Sequence, residues 1–166
     1  MTYIPDKDGR ARNIAFSFIV FGVVLYGISN FISYGALFQV VAAVLLVAGV
    51  FTLVRYVLTD FVYIIDDLED GNSDLVIIKK QGKKEVKVCH MSLSLATGIY
   101  KGRPKDKADA KYNYCQNINA DTHVICFTDG GKSVQIVFEP GADFVREINA
   151  RISCRSESED GTFFAM

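Results

Sequence analysis

Apolar residues follow three successive patterns along this chain. From Asn13 to Val54 there is no Asp, Glu, Lys, Arg or His, a run of 42 residues. Coiled as α-helix it would extend roughly 63 Å at about 1.5 Å per residue, about twice the ~30 Å hydrocarbon core of a bilayer. One span would be too long, so the run predicts two membrane helices joined by a tight turn. Ser29, Asn30, Ser33, Tyr34 and Gly35 interrupt it with small and polar groups, which places the helices at 13–31 and 36–58. Gly22, Gly27 and Gly49 fall inside them, where small residues let backbones approach. No strict G-x-x-x-G is present, so these glycines are assigned to contacts within the hairpin rather than to a dimer face.

From Tyr56 the pattern changes to alternation with period two, the mark of half-buried strands. Strands are predicted at 56–66, 74–80, 84–93, 94–100, 112–118, 121–128 and 132–139. Asp66–Asp74 is an acidic turn, Gln81–Lys83 a hairpin connection, and Lys101–Lys111 a charged loop containing Pro104. Val86, Val88 and His90 alternate with Glu85, Lys87 and Cys89, and Val134, Ile136 and Phe138 share a face. Pro140 ends the sheet, and the period then becomes helical: Phe144, Ile148 and Ile152 recur every four residues, with Val145 beside them. Asp143 in the first turn and Arg151 in the last suit the helix dipole, and Glu147 and Arg151 form an i,i+4 pair. The predicted class is α+β: a cytoplasmic N-terminal segment 1–12, a transmembrane hairpin 13–58, and a bent antiparallel β-domain 56–152. About seven strands and one closing amphipathic helix make up that domain, and a disordered tail 153–166 follows.

Gly130-Gly131-Lys132-Ser133 raises the question of a phosphate-binding loop. The G-x-x-x-x-G-K-[ST] pattern needs glycine five residues before Gly131, where this chain has Cys126. It also needs a helix after the Ser, whereas Val134-Gln135-Ile136-Val137-Phe138 alternates as a strand. The stretch is therefore predicted to be a hairpin turn.

The strand-rich order with a final helix resembles the pleckstrin-homology (PH) fold. With Arg55-Tyr56-Val57-Leu58-Thr59-Asp60 running from the second helix into the first strand, and Glu139-Pro140-Gly141 opening the closing helix, the chain is similar to membrane-anchored bacterial PH-like proteins. The resemblance covers Asn13 to Ile152. It implies a PH-like domain held at a membrane by the hairpin. Where PH domains that bind inositol phosphates carry basic residues in the first hairpin, this chain has Asp66, Asp67, Glu69 and Asp70, which argues against classical phosphoinositide binding.

Net charge is −1, so no whole-chain field points to nucleic acid. Lys7, Arg10, Arg12 and Arg55 flank the helices and the connecting turn has no Lys or Arg, so the positive-inside rule puts both termini in the cytoplasm. Four cysteines fit a reducing compartment. The first helix is too long for a signal-peptide core and lacks an A-x-A site, so it reads as an anchor in the cell (inner or plasma) membrane. Tyr56 is placed to anchor at the interface, and Phe61 and Tyr63 to fill the β-domain or its contact with the membrane.

Two basic groups are the candidate binding residues: Lys79, Lys80, Lys83, Lys84 and Lys87 around one hairpin, and Lys101, Arg103, Lys105 and Lys107, with Lys111 beside them, in one loop. Near an anionic leaflet each contributes about 1 kcal/mol of attraction; the competing reading is that they are solvated turns that keep a strand edge from pairing wrongly. Cys89, His90, Cys115, His123, Cys126 and Cys154 lack zinc-ligand spacing, and no motif supplies a nucleophile with its base. No cofactor or metal is implied. Helices without ionisable residues argue against a transporter or channel. The expected function is non-catalytic: a scaffold, regulator or subunit of a membrane complex, binding a protein partner at the cytoplasmic face. The alternatives are a module for anionic lipid headgroups and a membrane enzyme using Cys or His.

Overall fold

The computed structural model describes residues 1–32, 35–68, 71–104 and 108–160, with backbone alone for 129 and 153–160. It forms two compact units, 7–60 and a β-unit made of 1–6 with 61–166.

The first unit is a helical hairpin. Helix α1 is Arg10–Ser29; α2 is Gly35–Thr52 and continues through a π-helical turn, Leu53–Val57. At 20 and 23 residues, the two are long and apolar enough to cross a membrane. They meet along small residues: Ala15, Gly22 and Ser29 on α1 and Ala42 and Gly49 on α2 are buried, with a seven-residue spacing that keeps one face inward over two turns. A Cβ on Gly22 would come within 2.9 Å of Leu46 Cγ, and one on Gly49 within 2.8 Å of Ile19 Cγ1, so only glycine permits this approach. The recurrence of small residues every seven positions is the seam that a search for G-x-x-x-G misses. At the base of the hairpin Lys7 pairs with Asp60 at 2.6 Å and its Nζ donates to the Val57 carbonyl at 2.6 Å, which holds the two chain segments together.

The first long strand was expected from Tyr56 but begins at Thr59. Tyr56 and Val57 belong to the π-helical turn, whose wider i→i+5 bonding includes Leu58 N–H donating to Leu53 O at 3.0 Å. Thr59 Oγ1 then donates to Val54 O at 2.8 Å, and the Arg55 guanidinium lies 5.1 Å from the Tyr56 ring centre.

Among the described residues the β-unit has eight strands, where about seven were expected: β1 Thr2–Tyr3, β2 Thr59–Asp67, β3 Ser73–Gln81, β4 Lys84–Ser92, β5 Ala96–Lys101, β6 Ala110–Asn113, β7 His123–Asp129 and β8 Lys132–Phe138. One sheet runs β1-β2-β3-β4 and the other β5-β7-β8-β6. Strand β1 lies in the segment expected to be a plain N-terminal stretch. It pairs with β2 through Thr2↔Ile64 and Tyr3↔Tyr63, so the chain contributes a strand to the β-unit before it forms the hairpin. The domain is also not wholly antiparallel, because β6 pairs parallel with β8. Nine residues, 114–122, carry the chain from β6 to β7, enough to cross the sheet rather than turn back in a tight hairpin.

The core confirms the period-two and period-four readings. Phe61, Tyr63 and Ile65 of β2, Leu75 and Ile77 of β3, Ile125 and Phe127 of β7, and Ile136 and Phe138 of β8 are buried together under Phe144 and Ile148 of helix α3, Ala142–Asp160. Val134 and Ile152 pack at the edge of this cluster. One alternation fails. The register slips between Ile77 and Ile78, so Ile77 faces Cys89 while Ile78 faces Lys87, and Val88 is the extra, bulged residue. Val88 and Cys89 both pack on the core, while His90 is exposed. Between β7 and β8, Asp129 pairs with Lys132 across Gly130 and Gly131, whose φ values of +54° and +81° suit a type I′ turn. The Gly-Lys-Ser stretch is a hairpin connection, as expected.

Helix α3 continues to Asp160, past Ile152 and through part of the stretch expected to be a disordered tail; 161–166 lie outside the described residues. No Gly or Pro interrupts 153–160, so nothing in that stretch breaks the backbone pattern. Arg151 pairs with Glu147 as predicted and also reaches Asp67, with Nη2 at 3.0 Å from both carboxylate oxygens. The Ser73 hydroxyl donates to Asp67 at 2.7 Å, and this bond, followed by those from Arg151, holds the Asp67 carboxyl below its ordinary pKa of 3.8. A carboxylate with a depressed folded-state pKa adds stability that is present above the unfolded pKa and lost as pH falls through the folded one. Asp67→Asn is therefore expected to melt below wild type at pH 6, with the two converging in acid. Melting temperatures measured from pH 2 to 7 check this, and a gap that persists at pH 2 would contradict it.

Candidate functional site

The described basic residues singled out in the sequence belong to two elements, the β3–β4 hairpin and the end of β5 with the residues that follow it. Lys79, Lys80, Lys83, Lys84 and Lys87 surround the β3–β4 hairpin, where Lys79 faces Val86, Lys80 faces Glu85, and Gln81 faces Lys84 across Gly82-Lys83. Lys80 and Glu85 are ion-paired at 2.7 Å. Lys83, Lys84 and Lys87 are exposed, and β4 is the last strand of its sheet. Lysines and a bulge on an edge strand are what discourages unwanted strand addition, so the hairpin serves its own sheet whether or not it serves a partner. Lys101 ends β5 and pairs with Asp121 at 3.1 Å, both side chains exposed, a pair worth little in water. Lys105 and Lys107 lie outside the described residues, as do Glu69 and Asp70 of the acidic turn.

Arg103 and Lys111 do come together, on the walls of a cleft of about 480 Å³ on the β5-β7-β8-β6 sheet. The inner face of this sheet builds the main core, and its other face carries a second cluster of Cys115, Val124 and Val137, with Tyr100, Ala120 and Cys126 packed against it. The segment between β6 and β7 covers part of that face and leaves the cleft beside it, with Val137, Ala120 and Ile118 in its lining. Its walls are fixed. Gly102 N–H donates to Thr122 O at 2.9 Å and the Thr122 hydroxyl returns a bond to Gly102 O at 2.8 Å, while Asn113 Oδ1 accepts from Cys115 N–H at 2.9 Å. Tyr112, half exposed, is among the lining residues, but its ring stacks on Tyr114 at 6.2 Å and 5°, on the face that its partner Ile136 shares with the main core. The sequence reading placed Arg103 and Lys111 in one loop but missed Tyr112, Asn113, Asn119 and Thr122. They come from a strand and a crossing segment with no shared spacing, so no linear motif could have marked them.

A buried polar junction ties the same crossing segment to β2. Phe61 N–H donates to Gln116 Oε1 at 3.0 Å, on the part of β2 that two-residue β1 is too short to cover. The Asn117 amide donates to Glu139 Oε1 and to Asp6 O, each at 2.7 Å. The Tyr63 hydroxyl donates to Tyr114 O at 2.8 Å, and burial raises its pKa far above the ordinary tyrosine value. These contacts satisfy buried backbone groups and read as structure, since an unpaired one costs about 1–3 kcal/mol.

Cysteine and histidine chemistry gains no geometry. Cys89 and His90 point to opposite faces, and His90 Nε2 lies 2.8 Å from Asp74 Oδ2. None of the described cysteines Cys89, Cys115 and Cys126 is in a disulfide. Burial, with the Lys101 charge second, lowers the His123 pKa, so the ring is neutral near pH 7. Among the described residues no group of three or more His, Cys, Asp or Glu is placed to hold a metal ion. Burial pushes the Cys89 thiol up to about 11, which leaves it protonated at neutral pH. In a chain carrying Cys115→Ala, Cys126→Ala and Cys154→Ser, iodoacetamide at pH 8 is expected to alkylate Cys89 about two orders of magnitude more slowly than free cysteine. A rate near that of free cysteine, measured by mass spectrometry, would contradict this placement.

Compared with known proteins, the chain matches no family model, no curated protein sequence and no solved structure.

Proposed function

We propose that this chain is a non-catalytic, multi-pass protein of the cell (inner or plasma) membrane. In this reading its β-unit, PH-like in organisation, presents a cytosolic surface to a protein partner as a scaffold, regulator or subunit of a membrane complex. The observation that carries the reading is the outward face of the hairpin. Phe16, Phe21, Val44, Val47 and Phe51 are each more than 60% exposed, while the buried seam is made of small residues. A soluble helix pair would turn its large apolar groups inward, whereas lipid accepts them outside. Connectivity supports the topology. Strand β1 precedes α1 and β2 follows α2, so a hairpin that crosses twice returns the chain to the side it left. Lys7, Arg10, Arg12 and Arg55 near the helix ends favour the cytoplasmic side. Near the membrane, a shared location raises the effective concentration of any partner held there.

The test uses single cysteines, Ile32→Cys beside the turn and Lys83→Cys on the β3–β4 hairpin, in the otherwise cysteine-free full chain. A membrane-impermeant maleimide is expected to label Ile32→Cys only in right-side-out vesicles and Lys83→Cys only in inverted ones. Release of the chain by alkaline carbonate, or labelling of both sites from one side, would overturn the membrane reading. For the partner, affinity purification of the detergent-solubilised chain should return a stoichiometric protein that is lost in Lys83→Glu/Lys84→Glu. Anionic lipid alone would replace the scaffold reading with that of a lipid-headgroup module.

A further inference from the structure

We infer that the free edge of the β3–β4 hairpin is a docking surface for an acidic, extended segment of a protein partner, which adds to the sheet as a strand beside β4. The inference rests on the scaffold reading and gives the chemistry of the partner's contact. Charge marks the place. From Lys79 to Lys87 the chain has five Lys and one Glu, a local charge of +4 in a chain whose net charge is −1. The hairpin lies wholly within the described residues, and its one acid, Glu85, is taken up by Lys80 at 2.7 Å. Lys79, Lys83, Lys84 and Lys87 have no ion pair among the described residues. Repulsion between copies accounts for a charged edge. Four unpaired ammoniums so close together also repel one another, a cost that a bound anion removes.

The edge decides what kind of anion fits. β4 is the last strand of its sheet, so one row of its N–H and C=O groups has no strand beside it. The bulge falls at Val88, whose carbonyl accepts from the Tyr114 hydroxyl at 3.0 Å, so the regular run open to a new strand is Lys84–Lys87. A peptide strand supplies donors and acceptors in alternation, whereas a lipid phosphate diester offers acceptors alone. Side chains set the sequence of that strand. Lys84 and Val86 share one face, and Glu85 and Lys87 share the other. Val86 is 43% exposed, with Lys79 directly across from it on β3. The fitting partner therefore places an apolar residue against Val86, a neutral one against Glu85, and acids against Lys84 and Lys87.

Isothermal titration of the full chain in neutral detergent tests the inference. The probes are end-capped Glu-Glu-Thr-Val-Glu-Glu and its reversed order Glu-Glu-Val-Thr-Glu-Glu, which suit parallel and antiparallel addition. Saturable binding of at least one is expected, with a Kd below about 1 mM. Lys84→Gln and Lys87→Gln should each weaken it about threefold, the scale of one exposed ion pair, while Arg103→Gln, outside the hairpin, should leave it unchanged. Two versions of the bound peptide, N-methylated at alternate residues in opposite phase, separate strand pairing from charge alone. One should lose binding and the other keep it, because only every second N–H faces β4. Lys84 and Lys87 are exposed, so their variants should keep the wild-type melting temperature, which is measured in parallel. Four results would overturn the inference: no heat from either peptide up to about 10 mM, undiminished affinity in Lys84→Gln/Lys87→Gln, equal binding of both N-methylated peptides, or binding to phosphatidylglycerol vesicles while both peptides are ignored. The titration needs no bilayer, so its failure is distinct from a failure of the topology labelling.

Discussion

Phe144→Ala is expected to destabilise the β-unit by about 3–5 kcal/mol, the usual cost of removing a fully buried aromatic ring. Phe144 is 0% exposed. It sits at the first turn of α3, with its ring centre 5.9 Å from that of Tyr3 and 6.3 Å from that of Tyr63; the Tyr63 ring in turn meets Phe138 edge-on at 5.4 Å. Phe144 therefore joins the closing helix to β1 and β2, and Tyr63 carries the contact on to β8 of the other sheet. The chain has no Trp and 8 Tyr, so near-ultraviolet circular dichroism of the tyrosines can follow its unfolding in urea. Phe144→Leu should cost less, about 1.5 kcal/mol, since most of the volume stays filled. Tyr3→Ala should couple to Phe144→Ala, the double variant losing less than the sum, because the two rings share a contact. A loss below about 1 kcal/mol for Phe144→Ala would mean that α3 does not close this core.

Gly49→Leu is expected to separate the hairpin helices or lower their melting point sharply. A Cβ at this position would lie 2.8 Å from Ile19 Cγ1 and 3.1 Å from the Ala15 carbonyl oxygen. Ile19 could rotate, but a backbone carbonyl cannot, so the helices must move apart. Overpacking of this kind costs about 1–3 kcal/mol, and looser packing along the rest of the seam adds to that. Val50→Leu is the control, because Val50 is 54% exposed and its side chain can grow without a clash. Thermal unfolding of the full chain in detergent should show Gly49→Leu well below wild type and Val50→Leu unchanged. Equal melting of all three would place the seam elsewhere.

Where one face of an element repeats with its own period, the linear sequence carried the structure. Phe61, Tyr63 and Ile65 alternate along β2 and all reach the core; Phe144 and Ile148 recur by four and both are buried. The long uncharged run marked out two helices because nothing but lipid or a protein interior accepts such a stretch. Gly130 and Gly131 announced their turn because both positions need positive φ.

Other features have no periodic signature. Strand β1 has two residues, too few to show alternation, and exists because Tyr3 fits beside Tyr63, Phe144 and Gly141. The bulge at Val88 shifts a register that alternation alone would have continued. The place of β6 beside β8 was hidden because hairpin logic pairs each strand with the next in sequence.

The sequence by itself determined the apolar hairpin, the strand-rich unit with its closing helix and most of the core, since each depends on local period and burial. Only the tertiary structure decided that the residues ahead of the hairpin join the β-unit, that the lysine-bearing β4 is the last strand of its sheet, and that Arg103 and Lys111 line one cleft. These depend on contacts between segments far apart in the chain, chosen by shape and by unpaired backbone groups, and no spacing along the chain encodes them.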